Sequence, residues 1–223
     1  QYLCRLASAH VGLVTFASAQ IYCADSLAWE GANGATFPLH DSIGTFDVVL
    51  TNPPFGSRIV AASEEVLRKF DLGYKWKLTK LGNYKKLDRI QSSVPPQILF
   101  VERCLSLVRP GGRIGMVVPE SLLSGKSYRH VVQYIRERAT VKAVIGMPEA
   151  LFKTSGKGGT HTKTCLVVLQ KHGRKNARHN HIFMAETRWS GHDSRGRNIT
   201  HDDLPEVGIR YRRFLLPTPP LIF

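Results

Sequence analysis

The run Asp47-Val48-Val49-Leu50-Thr51-Asn52-Pro53-Pro54-Phe55-Gly56 carries the sharpest chemical signal in this sequence. Residues 46–51 (FDVVLT) are near-continuously apolar and rich in β-branched side chains, which predicts a strand buried on both faces. The strand delivers an amide, two imino acids and an aromatic ring to its carboxyl end, where ligands sit in open α/β sheets. Such a quartet suits the activation of an amine. The exocyclic amine of an aromatic base is a poor nucleophile, because its lone pair is delocalised into the ring. The side-chain carbonyl of Asn52 and the main-chain carbonyl of Pro53 can accept its two hydrogens. Holding both drives the nitrogen toward sp3 and frees the lone pair to attack an electrophilic methyl group. Pro53 and Pro54 fix the backbone so that the acceptors converge, which is preorganisation rather than charge chemistry. Phe55 offers a stacking face for a base extruded from its helix. A bare Asn-Pro-Pro also reads as a strand-ending turn; the apolar strand before it and the ring after it favour a site.

The elements that must position this quartet alternate in type. Apolar residues recur at helical spacing over 2–11, and residues 20–24 predict a short strand ending at Asp25 and Ser26. Residues 57–95 are polar, basic and poorly periodic, and are expected to form a long excursion over the active face. Pro95 and Pro96 open a helix with an apolar stripe from Ile98 to Val108. Pro110-Gly111-Gly112 predicts a tight turn into a strand over 113–118, followed by a helix over 128–138. Two further strands are predicted at 141–146 and 161–169, and with no helix between them an antiparallel pairing is expected. The basic stretch KHGRKNARHNH after Gln170 reads as a solvated linker, and a strand is predicted over 182–185. Strand, helix, strand in succession is the rhythm of an α/β sheet. The expected organisation is a catalytic domain over 1–171 and a basic linker with a C-terminal extension over 172–223.

Thirty-one Lys and Arg against 17 Asp and Glu give a formal charge of +14, which favours polyanionic partners because phosphate contacts release condensed counterions. The hydrophobic share of 43% excludes a disordered chain. Around residues 68–89, Lys75, Lys77, Lys80, Lys85 and Lys86 interleave with Trp76 and Tyr84. That mixture suits contact with nucleic-acid backbone and bases, and reads equally as a solvated excursion with aromatic anchors. Cys4, Cys23, Cys104 and Cys165 are too scattered for a disulfide framework or a zinc site, so no metal is expected. Cys104 sits among apolar residues at helical spacing and reads as core. Gly125-Lys126-Ser127 imitates the end of a phosphate-binding loop, but Glu120 occupies the position of the required glycine. No stretch is apolar for long enough to span a bilayer and no leader is recognised, so a cytoplasmic setting is the expectation. The chain opens at Gln1 in what reads as mid-helix, so a fragment of a longer protein is expected.

The stretch D-V-V-L-T-N-P-P-F-G resembles the catalytic motif of amino-group methyltransferases that use S-adenosylmethionine. The upstream I-Y-C-A-D-S-L-A-W is similar to the stretch where an acidic residue holds the cofactor's adenine. Downstream, P-P-Q-I-L-F-V-E-R-C-L-S-L-V-R-P-G-G-R-I-G-M-V-V-P-E-S-L-L resembles the helix, glycine turn and fifth strand of that family. G-M-P-E-A-L-F-K with H-T-K-T-C-L-V-V-L-Q-K resembles its final hairpin. The tail F-M-A-E-T-R-W-S-G-H-D-S-R-G-R with D-D-L-P-E is similar to the segment after the catalytic domain in type I modification subunits. Over residues 18–210 the sequence thus resembles the N6-adenine DNA methyltransferases of restriction-modification systems. The resemblance implies a mostly parallel Rossmann-like sheet with a C-terminal antiparallel hairpin, its first strands missing. It assigns cofactor contacts to Asp25, Ser26 and Asn52, the amine site to Asn52, Pro53, Pro54 and Phe55, and a second base-stacking ring to Phe152. Its implied partners are double-stranded DNA and the specificity and restriction subunits. The family's glycine-rich cofactor loop and ribose-holding acid have no counterpart here and would lie upstream of Gln1. The residues leave rivals open: an RNA base or a protein glutamine as acceptor, or a non-catalytic DNA-binding or assembly module of the same fold.

Overall fold

The computed structural model describes residues 20–22, 24–28, 40–55, 63–148, 151, 162–173, 181–193 and 197–216. In chain order the elements are β1 (Phe46–Thr51), α1 (Glu64–Arg68), β2 (Tyr74–Leu78), β3 (Tyr84–Ile90), α2 (Pro96–Leu107), β4 (Val108–Pro119) and α3 (Glu120–Ser124). They continue as α4 (Arg129–Arg138), β5 (Ala139–Gly146), β6 (Thr164–Lys171), β7 (Phe183–Glu186), β8 (Ser190–His192), β9 (Asn198–Asp202) and α5 (Leu204–Leu215). The expected helix over 2–11 lies outside the described residues.

The central sheet has the order β1-β4-β6-β5-β7. Strands β1 and β4 are parallel, as are β5 and β7, while β6 runs antiparallel to both of its neighbours. Four strands therefore point one way, and the expected α/β architecture with a mainly parallel sheet holds. The antiparallel pairing of β5 with β6 is the expected one, with Gly146 opposite Cys165. It does not close the sheet, because β6 inserts between β4 and β5 and β7 extends the outer edge.

Helix α2 shows why this packing forms. Pro96 occupies its first turn, where a missing N–H costs nothing and a fixed φ favours the helix. Its apolar stripe (Ile98, Leu99, Val101, Cys104, Leu105) is buried against Ile114, Met116 and Val118 of β4 and Val167 and Leu169 of β6 in one core. Each such side chain contributes roughly 1.5–3 kcal/mol on burial. Helix α4 adds Val131, Tyr134 and Ile135, at the three- and four-residue spacing of a single helical face.

Several expectations are corrected. Strand β1 is not buried on both faces: Val48 is 53% and Leu50 78% exposed, while Val49 packs toward the core. A continuous apolar run does not say how many layers cover it, and β1 pairs only with β4 among the described residues. Residues 20–22 and 24 form no strand. The chain instead turns at Asp25, whose Oδ1 accepts the Leu27 N–H at 2.9 Å, a local bond that competes with any ladder. The segment over 57–95 is also more ordered than a polar excursion, since it holds α1 and the β2–β3 hairpin. Finally, Pro110-Gly111-Gly112 lies within β4 as an irregularity. Gly111 takes a φ of 79°, and the pairing steps from Phe46 opposite Val108 to Val48 opposite Arg113.

Candidate active site

Strand β1 ends at Thr51, opposite Met116 of β4, and the next four residues are the quartet Asn52-Pro53-Pro54-Phe55. The chain leaves β4 at Glu120 and β5 at Met147 on the same edge, because β1, β4, β5 and β7 share one direction. Pro53 is buried, Phe55 is half-buried, and Asn52 and Pro54 are exposed. Among the described residues neither the Asn52 amide nor the Pro53 carbonyl has a hydrogen-bond partner in the chain. Two acceptors on a proline turn at the carboxyl edge of the sheet are thus without a partner among the described residues. Phe152 lies outside the described residues; just before it, the Leu151 N–H donates to the Pro148 carbonyl at 3.0 Å.

Asp25 and Ser26 are exposed on a tight turn, while Leu27 is buried in the core. The Ala28 N–H donates to the Asp25 carbonyl at 3.2 Å, and Asp25 Oδ1 is occupied by the Leu27 N–H. The second carboxylate oxygen of Asp25 has no hydrogen-bond partner among the described residues. Arg103 of α2 reaches across to this turn, its Nη2 donating to the Leu27 carbonyl at 3.0 Å and to that of Ala28 at 3.1 Å. Three residues on, the Ser106 carbonyl accepts the Gly44 N–H at 2.9 Å, just ahead of β1. One helix therefore mounts both the Asp25 turn and the approach to the quartet. Sequence reasoning missed Arg103, which stands in an apolar helix between Glu102 and Cys104 with no motif around it.

The hairpin sorts the basic and aromatic residues by face. Trp76 packs against the core, donates its Nε1–H to the Asp71 carbonyl at 3.2 Å and meets Tyr134 edge-on at 6.2 Å. Lys86, opposite Trp76, pairs with the Asp71 carboxylate at 2.5 Å, which raises its pKa. Gln133 of α4 clamps Tyr84 by accepting its N–H at 2.6 Å and donating to its carbonyl at 2.9 Å. Beneath them the carboxylate of Glu102 accepts from the N–H groups of Asp71 and Leu72, each at 2.9 Å. Burial raises the Glu102 pKa, and those two bonds oppose the rise. Lys77 and Lys85 stand directly opposite one another on the other face, exposed, with Lys80 exposed in the turn and Lys75 half-buried. These four have no ion-pair partner among the described residues. Like charges directly opposite each other destabilise a strand pair, so this face favours an external polyanion.

Cys104 and Cys165 are buried, and burial pushes their thiols up to about 12 and about 11. Neither is a nucleophile at neutral pH. Gly125-Lys126-Ser127 leads through a short 3-10 turn into α4, as a plain helix start does. No group of three or more metal-ligating side chains occurs among the described residues, and no helix there is long and apolar enough to cross a membrane. An open cleft of about 560 Å³ at the same edge is lined by Leu123, Val144 and Met184. Lys163 stands at this cleft, 3.1 Å from Glu186 and 3.6 Å from Glu120, a cluster that sequence reasoning also missed.

Residues 5–214 match the model of the family described as N-6 DNA Methylase. The chain is similar to a protein described as a type II restriction enzyme and methyltransferase from Methanocaldococcus jannaschii, at 21% identity over 56% of this chain and 9% of that protein. Among solved structures it is similar to one described as a class I S-adenosylmethionine-dependent methyltransferase from Listeria monocytogenes. There the identity is 19% and the TM-score 0.49, covering 64% of this chain and 37% of the other. A structure described as a modification subunit of a type I restriction enzyme from Vibrio vulnificus YJ016 is 16% identical, with a TM-score of 0.48, over 82% of this chain and 34% of that one. The chain thus spans only about a third of these structures and a smaller part of the first relative.

Proposed function

This chain belongs to the N-6 DNA Methylase family, and we propose that it transfers a methyl group from S-adenosylmethionine to the N6 amine of adenine in DNA, as the modification subunit of a restriction-modification system. The observation that carries the reading is the pair of acceptors without a partner among the described residues, the Asn52 side chain and the Pro53 carbonyl, on the turn that follows β1. The amine gives one hydrogen to each, its nitrogen gains sp3 character, and its lone pair forms the new bond as one proton leaves to solvent. Pro54 keeps the turn from relaxing, since neither proline can rotate about φ. Phe55 and Phe152 stack on the two faces of the extruded base, which offsets the few kcal/mol lost on leaving the helix.

The residues present fit the adenine end of the cofactor, by the chemistry of the Asp25 carboxylate. The Asp25 oxygen that has no partner among the described residues would accept from the exocyclic amine of its adenine, Ser26 would contribute a backbone contact, and Asn52 would border both ligands. S-adenosylmethionine would supply an electrophilic methyl group with a neutral thioether as its leaving group. Lys75, Lys77, Lys80 and Lys85 line the duplex backbone, whereas Trp76, Tyr84 and Lys86 hold the hairpin that presents them. The protein works in the cytoplasm beside specificity and restriction subunits, and the specificity subunit reads the DNA sequence.

The test is Asn52→Ala in the full-length protein, with methyl transfer to duplex DNA and DNA affinity measured in parallel. Asn52 strengthens its hold only as the amine pyramidalises, so turnover should fall about 100-fold or more while DNA affinity changes little. Near-normal methylation by this variant would overturn the assignment.

A further inference from the structure

Arg103 is only 2% exposed and carries a full positive charge into the core beside Phe70, whose ring centroid lies 5.2 Å away. A buried charge is unfavourable unless it is well partnered. As far as stability goes, a methionine at this point of α2 would fill the same space without that cost. The partners of Arg103 are the unusual part. Its Nη2 donates to the carbonyls of Leu27 and Ala28, 76 and 75 residues away in the chain. Those residues also give their N–H groups to Asp25, at 2.9 Å to the side chain and 3.2 Å to the carbonyl. The turn is thereby held from both sides, its N–H groups by Asp25 and its carbonyls by Arg103. The Asp25 carboxylate is also near enough to stabilise the Arg103 cation.

We infer that Arg103 is a positioning residue for the adenine of the cofactor: by fixing the carbonyls of Leu27 and Ala28, it sets where the free oxygen of Asp25 stands. The inference rests on the proposed role of Asp25. A slack turn leaves the ligand with an acceptor in many places instead of one, so the contact that tells a 6-amino base from a 6-oxo base is lost first. DNA contacts and the quartet do not depend on it.

The experiment uses the full-length protein and two product-like ligands, S-adenosylhomocysteine and S-inosylhomocysteine, which differ at the 6-position of the base. Calorimetry gives each affinity for the original protein, Arg103→Met and Asp25→Ala. The original protein should prefer the adenine ligand, and Arg103→Met should bind it about tenfold more weakly, roughly the worth of one charge-assisted hydrogen bond. Affinity for the inosine ligand and for duplex DNA should stay put, so the preference collapses toward unity. A merely structural role predicts a lower melting temperature with the preference intact, and that result overturns the proposal. If Arg103→Met does not fold, Arg103→Gln takes its place with the same two outcomes. Asp25→Ala separates the premise from the inference. A preference that survives Asp25→Ala removes the proposed role of Asp25, whereas one lost there but kept in the Arg103 variant refutes only the positioning.

Discussion

Alanine at Gly112 and alanine at Gly115 are the same chemical change three residues apart on β4, and the structure predicts opposite results. A Cβ at Gly112 would lie 2.6 Å from Val108 Cγ2, 2.8 Å from the Asp47 carbonyl oxygen and 3.0 Å from the Arg109 carbonyl oxygen. Val108 is fully buried and cannot rotate away, and Asp47 is backbone of β1, so the two strands must separate by a good fraction of an ångström. Overpacking of this kind costs about 1–3 kcal/mol, against about 0.5–1 kcal/mol that alanine gains over glycine inside a strand. A Cβ at Gly115 meets only Leu50 Cδ2, at 2.7 Å, and Leu50 is 78% exposed and free to swing into solvent. Gly112→Ala should therefore melt lower, by up to about 10 °C for a net cost of up to about 2.5 kcal/mol at the 2–4 °C per kcal/mol of a chain this size, and Gly115→Ala should melt at or slightly above the original temperature. Moving β1 also moves Asn52, and a shift near 1 Å can cost about 100-fold in rate. Circular dichroism melts and methyl transfer by both full-length variants decide the matter. Equal melting temperatures, or greater damage from Gly115→Ala, would refute the reasoning.

The hairpin and the thiols give further expected outcomes. Lys77→Ala with Lys85→Ala should weaken binding to all duplex sequences alike and lower the slope of log K against log salt by about 2, near 0.9 per phosphate contact. Trp76→Ala should instead cost stability, about 2–3 kcal/mol for a half-buried ring, and leave the salt slope alone. An unchanged slope in the double lysine variant would remove this face from the DNA interface. Native protein at pH 8 should resist iodoacetamide at Cys104 and Cys165, since thiols pushed up to about 12 and about 11 form thiolate only as the pH nears those values. Rapid labelling of either before unfolding would show that its thiol is open to solvent.

The end of β1 at Thr51 was legible from residue types and order alone, because Asn-Pro-Pro removes the N–H groups that a strand would go on donating. Helix α2 was legible from its paired prolines and stripe, and the β5–β6 pairing from the absence of a helix between them. The hairpin was not. In YKWKL the alternation is of aromatic with lysine and YKKLDRI is mostly charged, and repeated lysines read as solvated surface until Tyr134 and Gln133 supply the covering helix. The open face of β1 was hidden for a related reason: hydrophobicity records a preference for burial, and the number of neighbouring layers is a property of the whole fold. Arg103 was the hardest to foresee. A charged residue in a helix reads as exposed, and its burial makes sense only once two carbonyls from about 75 residues earlier in the chain arrive beside it.

The place of β6 sets a timetable for synthesis. Both strands that flank it precede it in the chain, so a ribosome releases β4 and β5 as two halves with a vacant slot between them. The edges facing that slot carry Ile114, Met116 and Val118 on one side and Ala143 and Ile145 on the other, all buried in the finished sheet. At about 5–20 residues per second, the stretch from Met147 to Lys171 keeps the slot open for a few seconds on every molecule made. During that interval the nascent chain presents two unpaired apolar edges to its neighbours on the polysome. A stop anywhere between residues 147 and 164 makes the exposure permanent, so truncation there yields an aggregating product and not a smaller working domain.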